Sequence, residues 1–421
     1  MNPSYQLISL LPPPLSNLLE QVTLLANQQG TALWLVGGVI RDLLLGVPLG
    51  RDLDLVVEGD VAALSAALVA ELGANLRAAH PEFGTASLAF DLDGAAVVLD
   101  LARARREVYP QPAVLPVVEP ATLEEDLGRR DFSVNAMALE LRIVDGHLCA
   151  GEWHDPFAGQ ADLSQRCLRL LHQQSLRDDP TRLLRGVRLA ARLSLHLHPA
   201  TQIQIRHALS QGYLGLLSPE RILGEICLAL EEPQPLRLLA HADAWRLTPQ
   251  IVPGLHATPH LAARLARYAA HPPRSVVLSQ VVAGLLCYDL TVDDLHALTQ
   301  RYPLPSPFAR LLSDVPRLRD LGPQLHTDLC PSQIDQLLRP YSDVAIHVLH
   351  YAETGIAAQR AMHYLEEMRP LRLPLDGRDI QRLGIAPGPA IGKILAELRT
   401  AYLDGVIQTR EQAEAWVINN R

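Results

Sequence analysis

Two aspartates in the stretch "RDLDL" have the spacing that places two carboxylates side by side. Asp52 and Asp54 are two residues apart on a predicted strand, so both side chains leave the same face of a sheet. Asp100 ends the apolar stretch "AAVVLD" and joins them if the two strands are neighbours. Ionised acids in such proximity repel each other, and a divalent cation relieves that repulsion. The pattern indicates either a metal site or the solvated face of an edge strand.

A glycine pair precedes these acids at a predicted junction between a strand and a helix. In "LVGGVIRD", Gly37 and Gly38 allow backbone N–H groups and the helix N-terminus to meet an anion. A tight turn needs the same glycines, so the pair alone does not identify a site. Together with three acids, it indicates a two-metal site for phosphoryl or nucleotidyl transfer, in which the ions lie about 4 Å apart.

The stretch "DDPTRLLRGVRLAARL" combines an acid with a row of arginines at helical spacing. Asp179 and Arg182 point the same way on a helix, and Arg185 and Arg188 continue the row. An Asp carboxylate accepts from an exocyclic amino group, and an Arg guanidinium donates to the ring nitrogen beside it. Cytosine and adenine both present that pair of groups, whereas uracil and guanine present the reverse. The pair predicts selection of C and A, against the alternative of an ordinary helix cap followed by solvated arginines.

The elements that must position these residues change type along the chain. Residues 1–150 mix strand and helix patterns, whereas the chain from about residue 160 onward is typical of successive helices. We predict strands in "TALWLVGG" and "RDLDLVVEG", and a hairpin whose turn is Asp93-Gly94. Thr122 and Glu125 form a predicted capping box at the start of a helix.

Composition limits the class of protein. The chain has 421 residues, 48% of them hydrophobic, and a formal net charge of -9, so any nucleic-acid binding must come from a local patch. Lys393 is the only lysine, so nearly every cation is a guanidinium. The five scattered cysteines indicate buried reduced thiols, and no apolar run is long enough to span a bilayer. We expect a soluble cytoplasmic protein without a membrane partner.

Several motifs, in order, resemble those of one known family. "LVGGVIRDLLLG" followed by "RDLDLVV" resembles the head domain of the class II tRNA nucleotidyltransferase and bacterial poly(A) polymerase family, within the polymerase beta superfamily. "EDLGRRDFSVNAMAL" and "DPFAGQADLSQRCLRLL" are similar to the second and third family motifs. The acid-arginine stretch is similar to the family's "EDxxRxxR" template motif, with Asp178 where glutamate is frequent.

The resemblance implies an α+β fold. A polymerase-beta-like nucleotidyltransferase head, with a mixed sheet and helices, is followed by an all-α neck, body and tail. The implied boundaries are 1–157 for the catalytic head, 158–215 for the neck with the nucleotide-selecting helix, 216–295 for the helical body and 296–421 for the RNA-binding helical tail.

The resemblance also implies roles for single residues. Asp52 and Asp54 hold the catalytic Mg²⁺, aided by Asp100. Asp131 and Asn135, four residues apart and so on one face of a predicted helix, lie where the family checks the ribose. The other implied nucleotide-binding residues are Gly37, Gly38, Arg41, Arg130, Asp179, Arg182, Arg185 and Arg188.

The implied activity is template-independent addition of CMP and AMP, from CTP and ATP, to the 3′ end of tRNA, with release of pyrophosphate. CC-only addition, A-only addition and poly(A) polymerisation are the alternatives within the family. The alternatives outside the family's activities are a non-catalytic RNA-binding protein that kept the fold and an enzyme that transfers nucleotides to a small molecule or a protein.

The helical half is expected to hold the acceptor end of the tRNA. The candidate groups there are the "LGIAPGPAIGKIL" turn with Lys393 and a set of arginines, at positions 166, 169, 206, 264, 267 and 274. The segment from Arg103 to Glu119 corresponds to the family's flexible loop, which is associated with the switch from C to A. Whether that switch is intact stays open at this point.

Overall fold

The predicted acids lie on neighbouring strands of one mixed sheet. This computed structural model describes residues 7–420. The seven strands of the sheet are β1 (Ala32–Val36), β2 (Asp52–Glu58), β3 (Asn75–His80), β4 (Thr85–Leu92), β5 (Ala95–Arg103), β8 (Ala138–Val144) and β9 (His147–His154). Their order is β3-β4-β5-β2-β1-β8-β9, and β2 and β5 are parallel while the other neighbours are antiparallel. A separate ribbon pairs β6 (Arg105–Val108) with β7 (Val117–Pro120).

Helices pack on both faces of the sheet. They are α1 (Pro13–Gln28), α2 (Gly38–Leu45), α3 (Val61–Leu72) and α4 (Leu123–Gly128). Helix α1 packs on β1, β8 and β9, and α3 packs on β3, β4 and β5. On the face that carries Asp54, Val56 lies in a core cluster with Leu123 and Leu127 of α4. Because α4 covers only the later part of β2, the first part of the strand stays accessible around Asp52 and Asp54.

Local hydrogen bonds account for the turns between these elements. Asp93 and Gly94 both have positive φ angles, +55° and +79°, which is the geometry of a two-residue hairpin turn. The hairpin predicted around them is confirmed, since β4 pairs with β5 directly across the turn. The capping box is confirmed as well: Thr122 accepts from the backbone of Glu125, whose side chain accepts from Thr122.

The segment after the sheet is helical with one small addition. Its helices are α5 (Gly159–Ser164), α6 (Ser175–Asp178), α7 (Thr181–Leu193) and α8 (Pro199–Ser210). Two-residue strands, β10 (Cys167–Leu168) and β11 (His196–Leu197), pair in parallel and tie the segment before α6 to the end of α7. This first compact unit ends at Ser218.

The second unit, from Pro219 onward, is helical throughout its described residues. Its helices are α9 (Pro219–Leu230), α10 (Pro235–Ala244), α11 (Thr248–Ile251), α12 (Pro259–Ala270), α13 (Leu278–Cys287), α14 (Val292–Arg301), α15 (Ser306–Gln324), α16 (Pro331–Leu338), α17 (Asp343–Ala352), α18 (Gly355–His363), α19 (Gly377–Arg382), α20 (Pro389–Leu403) and α21 (Arg410–Asn419). A π-helical turn, Tyr364–Met368, continues α18. Helix α13 packs on α15 and α17, and the last three helices enclose a core around Ile380, Leu398 and Val417.

The α+β fold class predicted from the sequence is confirmed. A mixed sheet with helices is followed by a long helical region. The finer boundaries at residues 157, 215 and 295 stay predictions. No helix between residues 7 and 420 is both long enough and apolar enough to cross a bilayer.

Candidate active site

The register of the sheet brings the predicted carboxylates together. Asp54 on β2 lies directly opposite Asp100 on the parallel neighbour β5. Asp52 and Asp54 both face away from the buried side of β2, on which Leu53 and Leu55 lie. Neighbouring strands are about 4.8 Å apart, so the three acids form one concentrated patch of negative charge.

The electrostatics of Asp54 reflect this crowding. The carboxylate is open to solvent on one side but enclosed by protein on the others, and this partial desolvation raises its pKa above the usual 3.8. Repulsion from Asp100 and Asp52 raises the pKa further, and Arg130 opposes the change. A bound cation would favour the ionised form of Asp54.

Gly37 occupies the tightest point beside this patch. Antiparallel pairing of β1 with β2 places Val36 opposite Asp54, so the turn that follows Val36 ends against the carboxylate. Gly37 has a φ of +75°, and a Cβ there would lie 3.1 Å from Arg130 Nη1 and 3.2 Å from Asp54 Oδ2. Only glycine fits both the backbone conformation and the space. Gly38 begins α2, so backbone N–H groups of a helix start also face this region.

Arg130 is held beside the glycine turn by a buried acid. Its Nη2 donates to Asp126 Oδ2 at 3.2 Å, and Asp126 has no exposed surface. Arg130 Nε is buried and has no hydrogen-bond partner among the described residues. The guanidinium therefore has donor capacity left for an anionic ligand.

Asp131 and Asn135 meet, but the prediction of a helix for them is wrong. The backbone makes a single 3₁₀ turn, Ser133–Asn135, because Phe132 is extended and forms a β-bridge with Leu170. Asn135 Nδ2 nevertheless donates to Asp131 Oδ1 at 2.9 Å. Arg41, which is buried, donates to Asn135 Oδ1 at 2.7 Å and so fixes the orientation of the amide group.

A second contact joins Asp131 to the arginine row. Arg185 donates to Asp131 Oδ2 through Nε at 3.0 Å and Nη2 at 2.9 Å. Burial alone would raise the pKa of Asp131, but Arg185 and the Asn135 amide outweigh it and hold the pKa below its usual value. Asp131 is therefore ionised, and Arg185 is engaged with it.

The prediction that Asp179 and Arg182 lie on one helix is wrong. Helix α7 begins at Thr181, so Asp179 lies before it, with an extended backbone, and its Oδ1 accepts from the backbone N–H of Thr181 at 3.1 Å. Arg182 is only 4% exposed. Its Nη2 donates to the carbonyl of Arg129, and its Nη1 is buried with no hydrogen-bond partner among the described residues.

One cavity of about 370 Å³ collects most of the predicted residues. Ten of the thirteen line it: Gly37, Gly38, Asp54, Asp100, Arg130, Asp131, Asn135, Asp179, Arg182 and Arg185. Asp52, Arg41 and Arg188 do not line it. Asp52 is exposed on β2 beyond the cavity wall, and Arg41 lies behind Asn135.

Comparison with known proteins identifies the family. Residues 33–169 match the family described as "Poly A polymerase head domain". The chain is 31% identical to an A-adding tRNA nucleotidyltransferase of Halalkalibacterium halodurans, over 97% of this chain and 94% of that protein. It is 37% identical to a CC-adding tRNA nucleotidyltransferase of Deinococcus radiodurans, over 91% and 87%. The chain belongs to the class II tRNA nucleotidyltransferase and bacterial poly(A) polymerase family.

A solved structure extends the likeness of this nucleotidyltransferase to the whole fold. The structure is described as the complex of a CCA-adding enzyme with ATP, and it matches with a TM-score of 0.78 at 26% identity. The match covers 98% of this chain and 97% of that one. The chain is thus an enzyme of the tRNA nucleotidyltransferase type along its full described length.

Three polar residues that line the cavity of the enzyme were missed by the sequence analysis: Glu107, Tyr109 and Arg129. The segment from Arg103 to Glu119, expected to correspond to the family's flexible loop, pairs at its ends as the β6-β7 ribbon. Side chains along "RREV" alternate between the two sides of β6. Arg106 points outward and contacts Glu119, whereas Glu107 points inward and contacts Arg129. This alternation was the available signal for Glu107.

Two of the arginines expected to hold RNA are engaged within the second unit. Arg267 donates to the carbonyls of Tyr351 and Ala352. Arg264 pairs with Asp289 and stacks over the ring of Tyr288. These contacts give both side chains a role in packing. Lys393, by contrast, is 80% exposed beside Glu397 at the start of α20.

The cysteines of the enzyme are all free, in agreement with the absence of predicted disulfides. The expectation that they are buried is wrong for Cys330, which is exposed, whereas Cys167 and Cys287 are buried. Within residues 7–420, no three His, Cys, Asp or Glu side chains are arranged to hold a metal by themselves.

Proposed function

We propose that this enzyme adds CMP and AMP, from CTP and ATP, to the 3′ end of tRNA and so completes a CCA terminus. The observation that carries the proposal is the shared cavity, which joins the carboxylates of β2 and β5 to the Asp179-Arg182 pair. A single pocket thus combines groups for nucleotidyl transfer with groups that recognise a base edge. The names of the relatives agree with this substrate class.

Each wall of the cavity suits one part of a nucleoside triphosphate. Asp179 would accept from the amino group of C or A, and Arg182 would donate to the adjacent ring nitrogen. The Asp131-Asn135 pair offers a carboxylate and an amide for the ribose hydroxyls. Arg130 and the N–H groups that follow Gly37 suit the triphosphate, because they are donors beside the acids. Arg185 acts by holding Asp131, and Arg188 lies further along the same helix.

The acids fit Mg²⁺. Asp52 and Asp54 would hold the ion, aided by Asp100. Burial raises the pKa of Asp54, the neighbouring acids Asp100 and Asp52 raise it further, and a bound cation would offset both effects. Magnesium is usually bound by one or two carboxylates plus substrate phosphates. When bound, Mg²⁺ supplies positive charge that activates the attacking hydroxyl and holds the triphosphate.

The reaction follows from this placement. The 3′-hydroxyl oxygen of the RNA attacks the α-phosphorus, the bond from that phosphorus to the bridging oxygen breaks, and pyrophosphate leaves. We assign removal of the hydroxyl proton to Asp100, whose position beside Asp54 at the cavity supports this role. Arg130 remains beside the phosphates and stabilises the charge of the leaving group.

A partial reaction is the second candidate. The two relatives reported above are named as A-adding and CC-adding, so this chain could perform only one part of CCA synthesis. The Asp179-Arg182 pair offers the acceptor and the donor that both C and A require, which supports the full reaction.

Single-nucleotide assays separate these functions. The full-length protein would be incubated with Mg²⁺ and each labelled NTP, on tRNA lacking CCA, on tRNA lacking only the final A, and on an RNA with a different 3′ end. Full activity predicts CTP incorporation on the first tRNA and ATP incorporation on the second. Activity on only one of them identifies a CC-adding or an A-adding enzyme, and long A tails on any RNA identify a poly(A) polymerase. Incorporation of UTP or GTP as readily as CTP would contradict the base-edge assignment.

A further inference from the structure

The guanidinium of Arg182 is held by the backbone rather than by an acid. Its Nη2 donates to the carbonyl of Arg129, and the residue is only 4% exposed. Nη1 has no hydrogen-bond partner among residues 7–420. A buried donor without a partner is costly unless a ligand engages it. The direction of Arg182 therefore depends on where the Arg129 carbonyl points.

Arg129 is fixed in turn by its own side chain. Its Nε and Nη2 donate to Asp126 Oδ1 at 3.1 and 2.8 Å, and its Nη1 donates to Glu107 Oε1 at 2.9 Å. Asp126 belongs to the helix that ends at Arg129, so that contact is local. Glu107 lies 22 residues earlier, on β6, and its contact joins the Arg129 side chain directly to that strand. Asp126 supports the same junction, because its Oδ1 also accepts from the backbone N–H of Arg105 at 3.3 Å.

Glu107 also holds an aromatic wall of the cavity. Tyr109 Oη donates to Glu107 Oε2 at 2.6 Å, and Tyr109 lines the same cavity as Asp179 and Arg182. The side chain of Glu107 is 10% exposed. Its two oxygens thus connect the nucleotide-facing ring of Tyr109 to the Arg129 guanidinium.

We propose that Glu107 is a positioning residue for nucleotide choice: it orients Arg182 through Arg129 and holds Tyr109 against the same pocket. The inference rests on the proposed function, in which Arg182 reads the base edge. Both carboxylate oxygens of Glu107 are occupied, one by Tyr109 and the other by Arg129, so its loss should change selection and affinity more than chemistry.

The matched test compares two glutamates of the same ribbon. Glu107→Gln removes the charge beside Arg129, whereas Glu119→Gln removes an equal charge from the exposed pair with Arg106. We expect Glu107→Gln to lower the preference for CTP or ATP over UTP and GTP by about tenfold and to raise KM, with kcat changed by less than about threefold. Glu119→Gln should keep the wild-type values.

Two further variants keep the inference testable if Glu107→Gln unfolds. Tyr109→Phe removes only the hydroxyl that contacts Glu107, and Arg129→Lys keeps the charge but loses the forked contacts. Both should relax nucleotide choice, with Arg129→Lys the stronger. A drop in kcat with unchanged preference, or equal effects of Glu107→Gln and Glu119→Gln, would overturn the proposal.

Calorimetry of nucleotide binding separates this inference from the proposed function. Wild-type protein should bind CTP or ATP more tightly than UTP in the absence of RNA, and Glu107→Gln should narrow that gap. If the wild type shows the binding preference but transfers nothing to RNA, the proposed function fails and the positioning role of Glu107 stands. If the variant retains the full binding preference, the positioning role fails while transfer by the wild type is unaffected.

Discussion

At the residue scale, several groups of the site lie in surroundings that are unfavourable for them. Burial and two neighbouring acids raise the pKa of Asp54, and Arg182 Nη1 is a buried donor without a hydrogen-bond partner among residues 7–420. Both features cost stability in the free protein. Gly37 has a backbone conformation that only glycine adopts without strain. Under the proposed function, a nucleoside triphosphate with Mg²⁺ would offset both costs in one cavity.

Asp54→Asn should abolish nucleotide incorporation and raise the Tm of the metal-free protein at neutral pH. The pKa of Asp54 is raised in the folded state, so its ionisation costs stability as the pH rises from 3.8 through the folded pKa. The gain in Tm should therefore be largest above that window and shrink as the pH falls toward 3.8. Thermal unfolding across about pH 4 to 8 measures it.

The control for this variant is Asp145→Asn, an equal change on an exposed turn. It should leave both activity and Tm unchanged. Added Mg²⁺ should raise the Tm of the wild type more than that of Asp54→Asn. Equal stabilisation of the two proteins by Mg²⁺ would remove Asp54 from the proposed metal site.

Gly37→Ala should lower activity by at least about tenfold and cost roughly 1–2 kcal/mol of stability, because an L side chain at this φ is strained. The added methyl group would also press on Arg130 and Asp54. Gly73→Ala is the matched control, since its φ is +66° and no atom lies within 4 Å of the added Cβ. Kinetics and chemical unfolding of both variants test this. Gly73→Ala should lose stability but keep activity, and equal losses of activity would contradict the prediction.

At the element scale, the cavity depends on contacts between short, irregular segments. The 3₁₀ turn Ser133–Asn135 is held on one side by Asp162, which accepts from Ser133 Oγ at 2.6 Å. On the other side Asn135 donates to Asp131, which also accepts from Arg185 of α7. The β6-β7 ribbon reaches the same region through Glu107. Hydrogen bonds of Asp131 therefore couple this turn to α7.

Arg185→Gln should destabilise the protein by about 2 kcal/mol at neutral pH, because it leaves the buried Asp131 carboxylate without its forked ion pair. The pKa of Asp131 is lowered in the folded state, so the stabilisation is present above 3.8 and is lost as the pH falls through the folded pKa. The difference between variant and wild type in urea unfolding should narrow in acid. Arg106→Gln, at an exposed pair on the ribbon, should show no measurable loss at any pH.

At the scale of the whole molecule, the net charge is negative although several arginines line the cavity. The chain carries -9, yet four arginines, at positions 129, 130, 182 and 185, line the cavity. A negative surface repels polyanions at long range, and specific donors act only at contact. Under the proposed function, recognition of tRNA must therefore come from shape and placed contacts.

Duplex DNA of similar length should compete with tRNA at least about tenfold more weakly than unlabelled tRNA does, near 150 mM salt. The physical reason is that the net negative charge gives little general affinity for phosphate backbones. A filter-binding competition with full-length protein measures this. Equal competition by DNA would indicate a general basic surface instead of specific contacts.

The sequence by itself determined what local geometry fixes. The common face of Asp52 and Asp54 follows from the two-residue period of a strand, and the hairpin at Asp93-Gly94 and the capping box at Thr122 follow from bonds within a few residues. Local spacing failed for Asp131 and Asn135, since a β-bridge from Phe132 to Leu170 imposed an extended backbone.

Only the tertiary structure decided which distant residues meet. The order of strands placed Asp100 beside Asp54, and contacts over long separations joined Arg185 to Asp131, Arg182 to the Arg129 carbonyl, and Glu107 to Arg129. None of these follows from periodicity, because a sequence pattern fixes the face of an element but not its neighbour. The motifs thus predicted the chemistry of the cavity, and packing decided which groups face a ligand and which hold those groups in place.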